Sequence, residues 1–228
     1  MIGIGASVAA ILAGGQSSIQ ISATTAPDGS LYYLAVTQLV NAPAVTISDN
    51  LGNTWSTRAT VAGTNYSMSV FFARFPNKGV NGGPGYVLTI DQGAGNTQAM
   101  TAFFLEITGS KMTAGSSFDG TGMSSAASGP PPLVVGPYSA NPFNVTYGEM
   151  LVSAFASLTS AVGVFTESDG STILLQEGST GGQTPGAMST SVFTSAGSHS
   201  VAWSDGQPSR TYHRSSRSRR RRRTRPTL

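Results

Sequence analysis

The sequence predicts an all-β protein, an antiparallel two-sheet sandwich or jelly roll that ends in an extended basic tail. Three observations carry that prediction. Apolar and polar residues alternate with period two in many short runs; clusters of Gly, Asn, Asp, Ser and Pro separate the runs; and hardly any stretch keeps the period of a helix. Short strands at near-regular spacing favour paired antiparallel sheets over a parallel α/β fold. A chain of 228 residues can bury roughly 70% of the surface its unfolded form exposes. Such a core needs no metal or disulfide staple, and the sequence implies no cofactor. With no cysteine in the chain, disulfides and thiol chemistry are excluded.

Residues 1–16, MIGIGASVAAILAGGQ, are expected to be an N-terminal arm or a first strand. No Lys or Arg precedes the apolar run, and it reaches about 12 residues against the roughly 20 that cross a bilayer. Neither a processed leader nor a membrane partner is expected from it. Residues 17–209 then read as the sandwich. SIQISA, LYYLAVTQL, AVTIS, SMSVFFARF, YVLTID, QAMTAFFLEIT, MLVSAFAS, ILLQE, AMSTSVFT and HSVAWS are its strands, about ten in all. PDGS, DNLGN, NKGVNGGPG, DQGAGN, ESDGS and GSTGGQTPG supply the turn residues between them. The stretch from Thr113 to Asn144, rich in Gly, Ser and Pro, is expected to be a long crossing between sheets. Neither side of it is expected to hold enough strands to close a core alone.

The densest local signal is ISDNLGNTWSTRATV, residues 47–61. Asp49, Asn50, Gly52 and Asn53 predict a tight hairpin turn, and Trp55 is placed to fold the outgoing strand onto the core. An oxygen-rich loop could also suggest calcium, but a single carboxylate without the regular acidic spacing and terminal Glu argues against it. No metal site is expected.

SDNLGNTW, with LYYLAVTQ before it and SVFFARFPNKGVNGGPGYVLTI and AMTAFFLEITG after it, resembles a known pattern. It is similar to the Ig-like or jelly-roll β-sandwich repeats of bacteriophage virion proteins and large bacterial surface proteins. Asp49, Gly52, Asn53 and Trp55 match the turn of that pattern, Phe71 to Arg74 its second element, and Glu106, Ile107 and Gly109 its last. Gly148 to Ser157 resembles the following strand. The resemblance covers about residues 20 to 205. It implies a sandwich in a structural or adhesive setting, and no catalytic act. The chain departs from the pattern at its end. Such domains usually finish with one more apolar alternating strand after an element like HSVAWS, whereas here GQPSRTYH runs into arginines. Either the final strand is shorter and the tail is an addition, or the sheet edge is closed by another chain, or a shifted reading frame has replaced the natural ending.

Enzyme signals are weak. His199 and His213 form no cluster, and no serine sits in a G-x-S-x-G elbow. Asp119, Glu149, Glu167 and Asp169 could pair for glycoside hydrolysis, yet acids in turns are usually solvated loop charge, and no catalytic residue is expected. Tyr32, Tyr33, Tyr66, Tyr86, Tyr138, Tyr147, Tyr212 and Trp203 could be sugar-stacking platforms. Tyr32 and Tyr33 are adjacent in a strand, so one of them must face inward.

Charge divides the chain sharply. Up to Ser209, Arg58, Arg74, Lys78 and Lys111 stand against ten carboxylates, a formal charge of −6. Beyond it lie nine arginines and no acid, a charge of +9: Arg210, Arg214, Arg217, Arg219, Arg220, Arg221, Arg222, Arg223 and Arg225. Such a run repels itself into a solvated chain until it meets anions. Residues 210–228 are therefore expected to bind an anionic partner, either nucleic acid without sequence preference or an acidic protein surface. Together these features predict a non-enzymatic virion structural protein: a capsid decoration, head fibre or tail component that contacts other virion proteins and its own copies. The alternatives are a carbohydrate-binding or adhesive module outside the cell or on its surface, and a glycan-processing enzyme.

Overall fold

The computed structural model describes residues 3–25, 31–62, 66–74, 84–109, 133–140, 149–156, 166–167, 172–177, 186–193 and 197–204. Among these there is no helix. The first half contains β1 (Gly3–Leu12), β2 (Ser18–Thr24), β3 (Leu31–Leu39), β4 (Thr46–Asp49), β5 (Trp55–Ala62), β6 (Tyr66–Arg74), β7 (Pro84–Asp91) and β8 (Met100–Thr108). The second contains β9 (Leu133–Ala140), β10 (Glu149–Ala156), β11 (Thr166–Glu167), β12 (Thr172–Glu177), β13 (Gly186–Phe193) and β14 (Gly197–Ser204).

The strands form four antiparallel sheets, in the orders β1-β8-β3-β6-β5, β2-β7-β4, β10-β13-β12 and β11-β14-β9. The first two use only residues before Gly109 and the last two only residues after it. Four sheets where the sequence predicts two is a correction, and its cause is the five-stranded sheet. That sheet is apolar on both faces, so one covering layer cannot dry it. Tyr32, Leu34, Val36, Ala102 and Phe104 face the β2-β7-β4 sheet, where Ile21, Leu88 and Ile90 meet them. Leu31, Ala35, Phe103, Leu105 and Ile107 face the other way, onto Met188 of β13 and the half-buried Met150, Val152 and Ala154 of β10. A third cluster, Phe155, Ala187 and Trp203, joins the β10-β13-β12 sheet to the β11-β14-β9 sheet. Strand sequences follow these positions. β2 alternates, with Ile19 and Ile21 inside and Ser18, Gln20 and Ser22 outside or half-exposed, whereas LYYLAVTQL and MTAFFLEIT are nearly continuous apolar runs.

The strands up to Thr108 thus form two sheets, and those from Leu133 onward form the other two. The stretch from Thr113 to Asn144 contains β9. Gly136 and Pro137 disguise that strand, which lies at a sheet edge and breaks register against β14 around those two residues. A proline is tolerated there because an edge strand needs no amide proton on its outer side.

Pairing is nested: β1 with β8, β2 with β7 and β3 with β6 in the first half, then β9 with β14 and β10 with β13 in the second. A chain paired in this way is one long hairpin rolled over on itself. The second half also repeats the first in order. β2-β7-β4 corresponds to β9-β14-β11, and β3-β6-β5 to β10-β13-β12, six successive strands in each case. The register break in β5 at Arg58 recurs in β12 at Leu174.

Candidate functional site

Asp49 ends β4, and its carboxylate organises the turn that follows. Oδ1 accepts hydrogen bonds from the backbone N–H of Leu51 at 2.9 Å and of Asn53 at 3.1 Å. The Asn53 side-chain amide reaches both oxygens, at 3.2 and 3.1 Å. Oδ2 further accepts from Trp55 Nε1 at 2.9 Å and from the Tyr86 hydroxyl at 3.3 Å. Gly52 donates its N–H to the Asp49 carbonyl and holds φ at 71°, a left-handed conformation that a side chain would strain. Asn50 ties the turn to β7, donating to the Gly85 carbonyl at 2.6 Å and accepting from the Val87 N–H at 2.9 Å. Of the predicted turn residues Asn53 joins the Asp49 carboxylate, while Gly52 bonds its backbone carbonyl and Asn50 bonds β7. The turn is not the hairpin the sequence predicts: β4 pairs with β7 and β5 with β6, so the chain crosses here from one sheet to the other.

Five donor groups on a single carboxylate leave it no free lone pair for a cation or a substrate proton. The arrangement is a knot between the sheets: Asp49, Tyr86 and Asn50 join the β2-β7-β4 sheet and its turn, while Trp55 opens β5 on the five-stranded sheet. Beneath it lies an aromatic cluster. Tyr32 meets Tyr86 and Phe104 edge-on at 5.0 and 5.1 Å, and the Trp55 ring lies 6.4 Å from Tyr32. Trp55 itself is half-buried on an edge strand, less enclosed than its sequence context suggests. Burial pushes the Tyr32 hydroxyl up to about 12, with the charges of Glu106 and Asp49 acting in the same direction. Burial, then the Asp49 charge, also raises the Tyr86 hydroxyl.

Glu106 has a role the sequence did not disclose. It is fully buried on β8, opposite the place where β1 breaks register between Ile4 and Ser7. Its Oε2 accepts the Ala6 N–H at 3.0 Å, a donor that the break removes from the ladder. A Cβ on Gly5 would overlap that carboxylate, so the carboxylate and the glycine fit only together.

The aromatic residues divide between the layers. Tyr32, Tyr86 and Trp203 are each about 1% exposed, so no sugar can stack on them. Tyr33 points to the opposite face from Tyr32 and packs toward the second half. Trp203 stacks on Phe155 at 5.6 Å and donates to Ser153 Oγ at 2.8 Å, joining two sheets. The nine tail arginines, Asp119, Asp169, Tyr147, Tyr212 and His213 lie outside the described residues, as do the side chains of Glu149, Glu167, Tyr138 and His199. Among the described residues no three His, Asp or Glu side chains gather as metal ligands would. In comparisons with known proteins, the chain matches no family model, no curated protein and no solved structure at a significant level.

Proposed function

We propose that this protein is a structural component of a virion, acting through assembly contacts rather than catalysis, with its arginine tail as an electrostatic anchor. The observation that carries this reading is the saturation of Asp49. The motif that resembles phage and surface sandwich repeats is spent on joining two sheets, with no acceptor left for a substrate. The nested pairing of β1 with β8, β2 with β7 and β3 with β6 supports a jelly roll as the finer description of the first half. Segregated charge supports the anchor, because a −6 body and a +9 tail can link neighbouring copies or bind nucleic acid. The sugar-binding alternative loses Tyr32, Tyr86 and Trp203, which are buried in the core.

The test compares the full chain with one lacking Arg214 to Leu228. Both are expected to melt at the same temperature, and only the full chain to sediment with assembled particles or bind duplex DNA. If about six arginines meet phosphates, log affinity falls against log salt with a slope of roughly −5. Equal binding by both chains, or a lowered melting point after truncation, would refute the anchor.

A further inference from the structure

β1 is made mostly of small residues, GIGASVAAIL, and Leu12 is the one residue of the ten that is buried. Its partner β8 is buried at eight of nine positions. The pair is unequal: β8 has to be covered, while β1 contributes little by covering it, because the apolar area that a strand removes from water sets its contribution. Elements with few buried apolar side chains are the first to open locally. β1 is joined to β2 by residues 13–17, and two details hold that link closed. Gly15 donates its N–H to the Thr97 carbonyl at 3.0 Å and keeps φ at 106°, a value that strains any residue with a side chain. Five extended residues span up to about 17 Å, so β1 can swing away while β2 stays paired with β7.

A strand that covers β8 has to meet a particular shape. Gly5 and Ala6 of β1 together stand opposite the single residue Glu106. The Ala6 N–H is donated to Glu106 Oε2, and the carboxylate fills the space that a side chain on Gly5 would need. Farther along, Ala6, Val8 and Ala10 pack against the core cluster shared with β2 and β7, and Ala9 against the cluster shared with the second half. The strand also lies against both β2 and β12. A replacement must therefore carry glycine at the bulge, an amide directly after it, and small side chains on both faces. β1 of a second copy meets all of these conditions by identity.

We infer that β1 is an exchangeable strand: it leaves β8 of its own chain and takes the same place on β8 of a second copy, which gives its own β1 in return, so that two molecules are joined. Every contact that β1 makes in the closed form is made again in the exchanged one. The balance between the two forms is therefore set by the link at 13–17 and by concentration. Opening the link loses the bond to Thr97 and frees Gly15 from its left-handed conformation. Crowding copies together favours exchange. The inference rests on the fit of β1 to β8 alone, so it can fail while the virion reading stands, and the reverse.

The test uses the full chain with single cysteines, since it has none of its own. Gly3 and Thr108 are partners across the ladder, and Cα atoms so paired lie about 4.5–5.5 Å apart, within reach of a disulfide. Gly3→Cys and Thr108→Cys chains, told apart by an affinity tag, are mixed at high concentration, held just below the melting temperature, then diluted and oxidised. They are expected to give a covalent heterodimer, because β1 of one copy then lies on β8 of the other. Thr60→Cys mixed with Thr108→Cys should not, since Thr60 lies on β5. The double variant Gly3→Cys/Thr108→Cys should close within one chain in dilute solution and between chains after the concentrated incubation. Gly15→Val in both partners should raise the heterodimer, by about tenfold in the association constant for each of the two links whose strain is relieved. Closure within one chain at every concentration, a heterodimer no more abundant than with Thr60→Cys, or a yield indifferent to Gly15→Val would each overturn the inference.

Discussion

Replacing Asp49 with alanine removes the acceptor for five donor groups at once, and their surroundings set the expected loss. The Leu51 and Asn53 amides lie in the turn, where water can take the place of the carboxylate. The Tyr86 hydroxyl cannot be reached so easily, since that residue is 1% exposed, and Trp55 Nε1 is partly enclosed. A buried donor left without a partner costs about 1–3 kcal/mol, and a hydrogen bond to a charged group contributes about as much. Counting Tyr86 fully and Trp55 in part, Asp49→Ala should destabilise the fold by about 3 kcal/mol. For a chain of this length that lowers the melting temperature by about 6–12 °C. Asp49→Asn keeps one acceptor oxygen and the shape of the group, so about half that loss is expected. Thermal and urea unfolding can be followed by the emission of the two tryptophans, one in each half of the chain. An alanine variant that melts with the parent would show that the carboxylate does not hold the sheets together, and Asp49 would again be a candidate ligand.

Three further outcomes are expected. Trp55→Ala should cost about 2 kcal/mol in urea unfolding, below the 3–5 of a fully buried aromatic, because its ring is half-exposed; a loss of the larger size would place it deep in the core. Gly186→Ala should cost about 1–3 kcal/mol, since a Cβ there would lie 2.6 Å from the Phe155 carbonyl and 3.0 Å from the Phe103 ring; an unchanged melting point would mean that the two halves separate freely at β13. In alkali, the Tyr32 hydroxyl keeps its proton in the folded state up to about 12 while the unfolded chain releases it near 10.0. Its contribution is therefore complete below pH 10 and falls by about 2–3 kcal/mol by pH 12. Tyr86, raised in the same direction, steepens that fall. Tyr32→Phe should flatten the profile of unfolding midpoint against pH, and a parent profile already flat over that window would refute the assignment.

The sequence by itself determined the strands and the turn. Period two is a local property, so all ten runs marked by alternation or apolar β-formers are strands, and Asp49, Gly52, Asn53 and Trp55 are close enough in the chain to declare their own turn, though not that it crosses between sheets instead of closing a hairpin. Local signals also misled. β9 was hidden by Gly136 and Pro137, which break strands in general but are tolerated at an edge. Adjacent tyrosines announced that one must face inward, yet only the layers decided that Tyr33 also packs, against a second half of the chain. Tertiary structure alone decided the number of sheets, the repeat of six strands and the place of Glu106. Pairing joins residues up to about a hundred positions apart, as Ala6 and Glu106 are. Hydrogen bonds between backbones carry no mark of which strands they join, so an order shared by the two halves leaves no trace in their side chains.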